Sequence, residues 1–132
     1  MKVTLTYLQL LDLVKNVNAT GAEKGSKKEL KLKKIADKIK PILDEFNEKR
    51  SDVRLDNAYT NEKGILELDE KGDYKFTKEG AKKLGQDLKE LLEQTFEFYQ
   101  FTFSTEGIED LTFLAEWVEG IEAEKINDDE IN

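Results

Sequence analysis

Thr95-Phe96-Glu97-Phe98-Tyr99-Gln100-Phe101-Thr102-Phe103-Ser104 carries five rings in ten residues. Aromatic and β-branched side chains suit the pleated, half-buried surface of a strand, so this stretch is expected to be one. Strand side chains alternate between faces. Phe96 and Phe98 are therefore expected on one face, and Tyr99, Phe101 and Phe103 on the other. A β-bulge near Phe98 and Tyr99 would instead return every ring to a single face. Without it, three aromatics remain on a face that the chain's own helices do not cover. Soluble monomers avoid apolar patches of that kind. Burying one such side chain contributes about 1.5–3 kcal/mol, so that face is expected to bind a second protein surface.

The flanks are helical by pattern. Upstream, Thr77 can cap a helix whose Ala81, Leu84, Leu88, Leu91 and Leu92 share one side. Gly80 and Gly85 weaken it by roughly 1 kcal/mol each relative to alanine. Before it, Gly64 to Phe76 reads as a β-hairpin. Ile65, Leu66 and Leu68 enter a turn at Asp69-Glu-Lys-Gly72, and Tyr74 and Phe76 leave it. Downstream, Leu111, Leu114, Trp117, Val118 and Ile121 have the spacing of a last helix. No internal repeat and no low-complexity tract is expected.

Near the start, Thr6 can cap a helix from about Tyr7 to Val17, with a stripe of Leu8, Leu11, Val14 and Val17 widened by Leu10 and Leu13. Ser26-Lys-Lys-Glu29 is a capping box ahead of a long helix. Leu32, Ile35, Ala36, Ile39, Ile42, Leu43 and Phe46 keep helical spacing through Pro41, the only proline. An interior proline costs about 3 kcal/mol, so a kink or a fresh helix start is expected there, with helix continuing to Val53 or Leu55.

These elements predict an α+β fold with three to five helices. The hairpin and the one further strand would form a small, mainly antiparallel three-stranded sheet, packed on one face. The 132 residues suit one domain over 1–122, followed by an acidic, flexible tail over 123–132.

Charged residues make up 38% of the chain, which suggests solvated helices with narrow apolar stripes. The net charge of −8 is unevenly spread. Residues 24–50 hold ten basic and five acidic side chains, and residues 104–132 hold one basic and ten acidic. Opposite ends of opposite sign suit head-to-tail docking of copies or orientation on a charged partner. The simpler alternative is a solvated helix face and a solvated acidic tail.

Several chemistries are disfavoured. There is no cysteine and no histidine. The usual soft-metal ligands and the usual general base are therefore missing, and no enzyme, catalytic residue, metal or cofactor is expected. Asp69, Glu70 and Asp73 do not fit the calcium-loop template and are expected to serve the turn. Gly21-Ala-Glu-Lys-Gly25-Ser-Lys27 has three residues between its glycines where a phosphate-binding loop needs four. The opening residues lack a continuous signal-peptide core, and no run is long enough to span a bilayer, so a cytosolic origin and no membrane partner are expected. Lys27, Lys31, Lys34 and Lys38 form a basic helix face that could meet phosphates. The acidic whole opposes nonspecific nucleic-acid binding.

The order of these segments resembles a group of small tailed-bacteriophage proteins, the domain of unknown function 1617 group and its relatives. The resemblance covers about Tyr7 to Glu119. It runs through Tyr7-Leu-Gln-Leu-Leu11, Lys34-Ile-Ala-Asp-Lys-Ile-Lys-Pro-Ile-Leu43 and Asp44-Glu-Phe-Asn-Glu-Lys-Arg50. It continues with Asn61-Glu-Lys-Gly64, Asp87-Leu-Lys-Glu-Leu-Leu92, the aromatic strand and Leu111-Thr-Phe-Leu-Ala-Glu-Trp117. It implies a virion or host-cytoplasm setting and a structural or assembly role. It carries no site residues.

Together these observations lead to a non-catalytic phage structural or assembly protein of the capsid, head–tail junction or tail. It is expected to be oligomeric and to contact copies of itself or other phage structural proteins through Tyr99, Phe101 and Phe103. Two alternatives are an acidic inhibitor of a host protein, acting through the tail, and a DNA-contacting protein using the basic helix.

Overall fold

The computed structural model describes residues 1–123. In chain order the elements are strand β1 (Lys2–Thr6), helix α1 (Tyr7–Ala19), helix α2 (Lys27–Asn57), helix α3 (Lys78–Glu93), strand β2 (Thr95–Tyr99) and a 3-10 turn at Thr112–Leu114. The α+β class therefore holds, with three helices and a two-stranded antiparallel sheet. The chain gathers into two compact units. One is Met1–Lys40 with the described residues from Thr95 onward, and the other is Pro41–Gln94. The acidic tail expected over 123–132 lies, from Glu124 on, outside the described residues.

In the first unit, the partner of the aromatic strand is the N-terminal segment and not the hairpin. β1 and β2 pair with Lys2 opposite Tyr99, Val3 opposite Phe98 and Leu5 opposite Phe96. Lys2-Val-Thr-Leu-Thr6 alternates polar and apolar residues, and Leu5 is buried while Lys2 and Thr4 are exposed. That period of two is the signature of a half-buried strand. α1 follows without a linker because Thr6 is both the last strand residue and the N-cap. The Thr6 Oγ1 accepts the Gln9 amide at 3.1 Å, and the Gln9 Oε1 accepts the Thr6 amide at 2.8 Å. This reciprocal cap is worth about 0.5–2 kcal/mol.

The strand also fixes which face of α1 turns inward. Tyr7, Leu10 and Leu13 are buried, whereas Leu8 is half exposed, so the stripe is rotated from the expected Leu8–Leu11 face. Tyr7 leaves β1 directly and stacks on Phe96, with ring centroids 5.5 Å apart. That contact sets the rotation of the first turn.

α2 begins where the capping box places it. The Ser26 Oγ accepts the Glu29 amide at 3.1 Å, and Glu29 reaches back to the Gly25 amide at 3.1 Å. The helix is continuous through Pro41, with no fresh start there. Leu32, Ile35 and Ile39 are its buried positions in the first unit.

The last expected helix is not one. Among the described residues after Ser104 only the 3-10 turn and irregular turns appear, yet Leu114, Trp117, Val118 and Ile121 are all buried. The reason lies in the backbone. Phe101 donates to the Trp117 carbonyl at 2.9 Å, and Glu119 donates to the Phe101 carbonyl at 2.9 Å, a parallel bridge between Phe101 and Val118. The Glu119 amide and the Trp117 carbonyl are thereby used, and Gly120 turns the chain with φ of 90°. Pairing competes successfully with a helix that the apolar spacing alone would favour.

The second unit holds the hairpin, built as a repeat that is easy to overlook. Asn61-Glu-Lys-Gly64-Ile65 and Asp69-Glu-Lys-Gly72-Asp73 form the same turn twice, eight residues apart. In each, the leading side-chain oxygen accepts two amides: Lys63 and Ile65 on Asn61, Lys71 and Asp73 on Asp69. In each, the glycine takes positive φ, 75° at Gly64 and 83° at Gly72. The bridges Thr60–Leu66 and Leu68–Tyr74 flank the turns. Only these isolated bridges form here, and they do not join β1 and β2 in a three-stranded sheet.

α3 starts at the expected cap, with the Thr77 Oγ1 accepting the Gly80 amide at 3.0 Å. The two glycines of α3 differ in purpose. A Cβ on Gly80 would stand 2.8 Å from the Asn57 carbonyl oxygen, whereas a Cβ on Gly85 would meet nothing within 4 Å. Gly85→Ala is therefore expected to raise stability by about 0.5–1 kcal/mol. Gly80→Ala is expected to lower it, because backbone must move. Paired thermal melts of the two variants check this, and equal shifts of the same sign would refute it.

Asn57, the one buried polar residue among those described, ties α2 to α3. Its amide nitrogen donates to the Val53 carbonyl at 2.9 Å and to the Asp87 Oδ2 at 3.0 Å. Lys83 also donates to that Oδ2, at 2.7 Å. Hydrogen bonds from Lys83 and then Asn57 hold the Asp87 carboxyl below the usual carboxylate range. A lowered folded-state value means that the stabilisation is fully present above the ordinary value of about 3.9 and is lost as pH falls through the lowered one. Asp87→Asn should flatten that acid limb in a circular-dichroism titration. An unchanged limb would show that Asp87 is not its source.

Candidate interaction surfaces

The aromatic strand gathers four of its five rings on one face and leaves Tyr99 on the other. Phe98 is buried and meets Trp117 edge-on at 5.1 Å and Phe101 edge-on at 5.4 Å. Phe101 is 3% exposed and lies 5.4 Å from Phe103, itself half-buried. Phe96 lies between Tyr7 and Trp117, 6.3 Å from the latter. Strand pairing with β1 stops after Gln100, whose amide donates to the Met1 carbonyl at 3.0 Å. At Phe101 the chain turns to the 117–119 segment, which brings Phe101 and Phe103 to the Phe98 side. The reorientation considered for a bulge near Phe98 and Tyr99 is thus achieved for Phe101 and Phe103, but not for Tyr99, by a change of partner. Of the three expected contact residues, Tyr99 alone is fully exposed, at 74%.

Three lysines of the expected basic face of α2 also touch the chain itself, although Lys27, Lys34 and Lys38 remain exposed. Lys27 pairs with Glu106 at 2.6 Å. Lys31 donates to the Glu106 carbonyl and reaches the Ser104 Oγ at 3.5 Å. Lys38 sits over the Phe101 ring, 5.3 Å from its centroid, in a cation–π contact. The Lys27 hydrogen bond is the main reason the Glu106 carboxyl is held below its ordinary range, with Lys31 adding to it. Lys34 is exposed. Three of the four lysines therefore contact the 101–106 segment, through exposed pairs of the kind that contribute little to stability. Beside them, Leu30 is 52% exposed in a shallow depression of about 320 Å³ rimmed by Lys27, Lys31, Lys33, Lys34 and Asp37.

Other large apolar side chains lie open. In the first unit these are Met1 at 75% and Leu8 at 49%, and in the second Ile65 at 57% and Leu68 at 52%. A cleft of about 390 Å³ in the second unit is lined by Arg50, Ser51, Arg54, Gly72, Asp73 and Tyr74. Among the described residues no helix is long and apolar enough to cross a membrane.

Compared with protein-family models, curated proteins and solved structures, the chain matches none. Sequence reasoning missed two features that the structure brings forward, the N-terminal strand and the doubled turn. The alternation of Lys2 to Thr6 signals the first, and the repeated Glu-Lys-Gly signals the second.

Proposed function

We propose that this chain is non-catalytic and works by binding protein, as a structural or assembly component of a tailed bacteriophage in the capsid, head–tail junction or tail. The observation that carries the protein-binding part is Tyr99. It is a ring 74% exposed on a strand whose other rings are all gathered inward, with Met1 beside its Lys2 partner equally open. Tyrosine is enriched at protein interfaces because it offers large area at low entropy cost. The absence of histidine and cysteine supports the non-catalytic part. The phage setting, in the virion or the host cytoplasm, is supported by the order of segments from Tyr7 to Glu119. Copies of the same chain or other phage structural proteins are the partners proposed.

The test is compositional. Mass spectrometry of gradient-purified particles and assembly intermediates, from a phage encoding this chain, should find it in fixed ratio to a known structural protein. Its absence from both would overturn the proposal.

A further inference from the structure

We infer that β1 is a self-pairing edge, along which two copies of this chain join antiparallel to form a continuous four-stranded sheet. This rests on the interpretation of the chain as a protein-contact component and names one partner for it, a second copy.

Hydrogen-bond phase decides which backbone groups of β1 face outward. Gln100 donates to the Met1 carbonyl, and Met1 and Gln100 stand in the same register as the strand pairs. In an antiparallel ladder, bonded and non-bonded pairs alternate. Val3–Phe98 and Leu5–Phe96 are therefore the bonded pairs, and the amides and carbonyls of Lys2, Thr4 and Thr6 point away from β2. Thr6 is already satisfied, since its amide is taken by Gln9 within the helix cap. Among the described residues nothing bonds the backbone of Lys2 or Thr4 on that outer edge, and both residues are exposed. Four open backbone groups on two residues, spaced by one, remain at an edge strand.

That spacing is self-complementary. A two-fold axis through Val3 places Lys2 opposite Thr4 of the second copy and Thr4 opposite its Lys2. Each pair exchanges two bonds, so four backbone hydrogen bonds form and no open group is left on the edge. The side chains agree with this register. No like charges stand directly opposite, since Lys2 faces a threonine and is held by Glu97 of its own chain at 2.8 Å. Met1 falls opposite Leu5 of the second copy, at the end of the strand from which α1 and its exposed Leu8 emerge. The two most open apolar residues flanking β1 are thus brought together. An unrelated extended peptide would satisfy the four backbone groups equally well, but it would not supply both Met1 and Leu8 cover. The isologous pairing is also the commonest closed symmetry.

Thr4→Pro removes the outward amide while leaving the bonds to β2 intact, because proline is tolerated at an edge where the N–H faces out. Thr4→Val keeps that amide. Sedimentation equilibrium should show a wild-type dimer, a similar Thr4→Val dimer and a Thr4→Pro dimer weakened at least about tenfold. Hydrogen exchange on the wild-type chain provides an independent arm. The Thr4 amide should be protected at concentrations where the dimer forms and exposed on dilution. A wild-type chain that stays monomeric would overturn the inference. So would a dimer indifferent to Thr4→Pro with a fast-exchanging Thr4 amide. If Thr4→Pro fails to fold, the wild-type exchange result decides. Presence in phage particles is measured separately, so failure here leaves the proposed function standing, and failure there leaves the self-pairing standing.

Discussion

Trp117→Ala is expected to lower the stability of the first unit by about 3–5 kcal/mol, the range for removing a large aromatic from a packed core. Trp117 is 2% exposed and touches Phe96 and Phe98, so its ring joins both inward positions of β2. Its backbone carbonyl also receives the Phe101 amide that turns the strand. Loss of the ring would leave a cavity lined by phenylalanines that cannot collapse without moving that bridge. Domains of this size hold only about 5–15 kcal/mol in total, so the variant should be marginal. Urea unfolding followed by far-ultraviolet circular dichroism checks this, since the only tryptophan is removed as a fluorophore. Tyr99→Ala, at the exposed position of the same strand, should change stability by no more than about 0.5 kcal/mol. A Trp117→Ala loss below about 1 kcal/mol would mean that the ring cluster is not the core described here.

Phe46→Ala is the second large effect, again about 3–5 kcal/mol. In the second unit only Phe46, Asn57 and Leu91 are buried among the described residues. Phe46 supplies most of that apolar volume, and Arg50 stacks over its ring at 5.7 Å. A unit with so few buried side chains has little to offset the loss of one. Leu68→Ala, at a site 52% exposed, should cost well under half as much in the same urea experiment. Equal costs at the two positions would show that Leu68 is covered in solution, and covered by something other than this chain.

The two variants also separate what can be read along the chain from what cannot. Phe46 lies in an apolar series at helical spacing that runs from Leu32 through Pro41, and its burial follows from that series. Trp117 lies in an equally clear helical series, and it is buried, but not in a helix. Spacing reported which residues seek cover and misreported the backbone that delivers them. The same holds for Phe101. Its apolar character was plain, but its face depended on where pairing with β1 ends. The lysines of α2 show a third version. Positions 27, 31, 34 and 38 share one helix face, as the period requires, yet Glu106, Ser104 and Phe101 come from more than 60 residues away to occupy three of them.

By itself the sequence determined the capped starts of α1, α2 and α3, the turn at Asp69 to Gly72, the strand at Thr95 and the identity of most core residues. These depend on neighbours within about four positions, through side-chain caps, positive-φ glycines and period. Tertiary structure alone decided that β1 and not the hairpin pairs with β2, that the chain after Ser104 forgoes a helix, and that Phe101 and Phe103 join Phe96 and Phe98 on one side while Tyr99 does not. Each of those is a competition for the same backbone hydrogen bonds between a near partner and a distant one. Local pattern holds no information about the distant one.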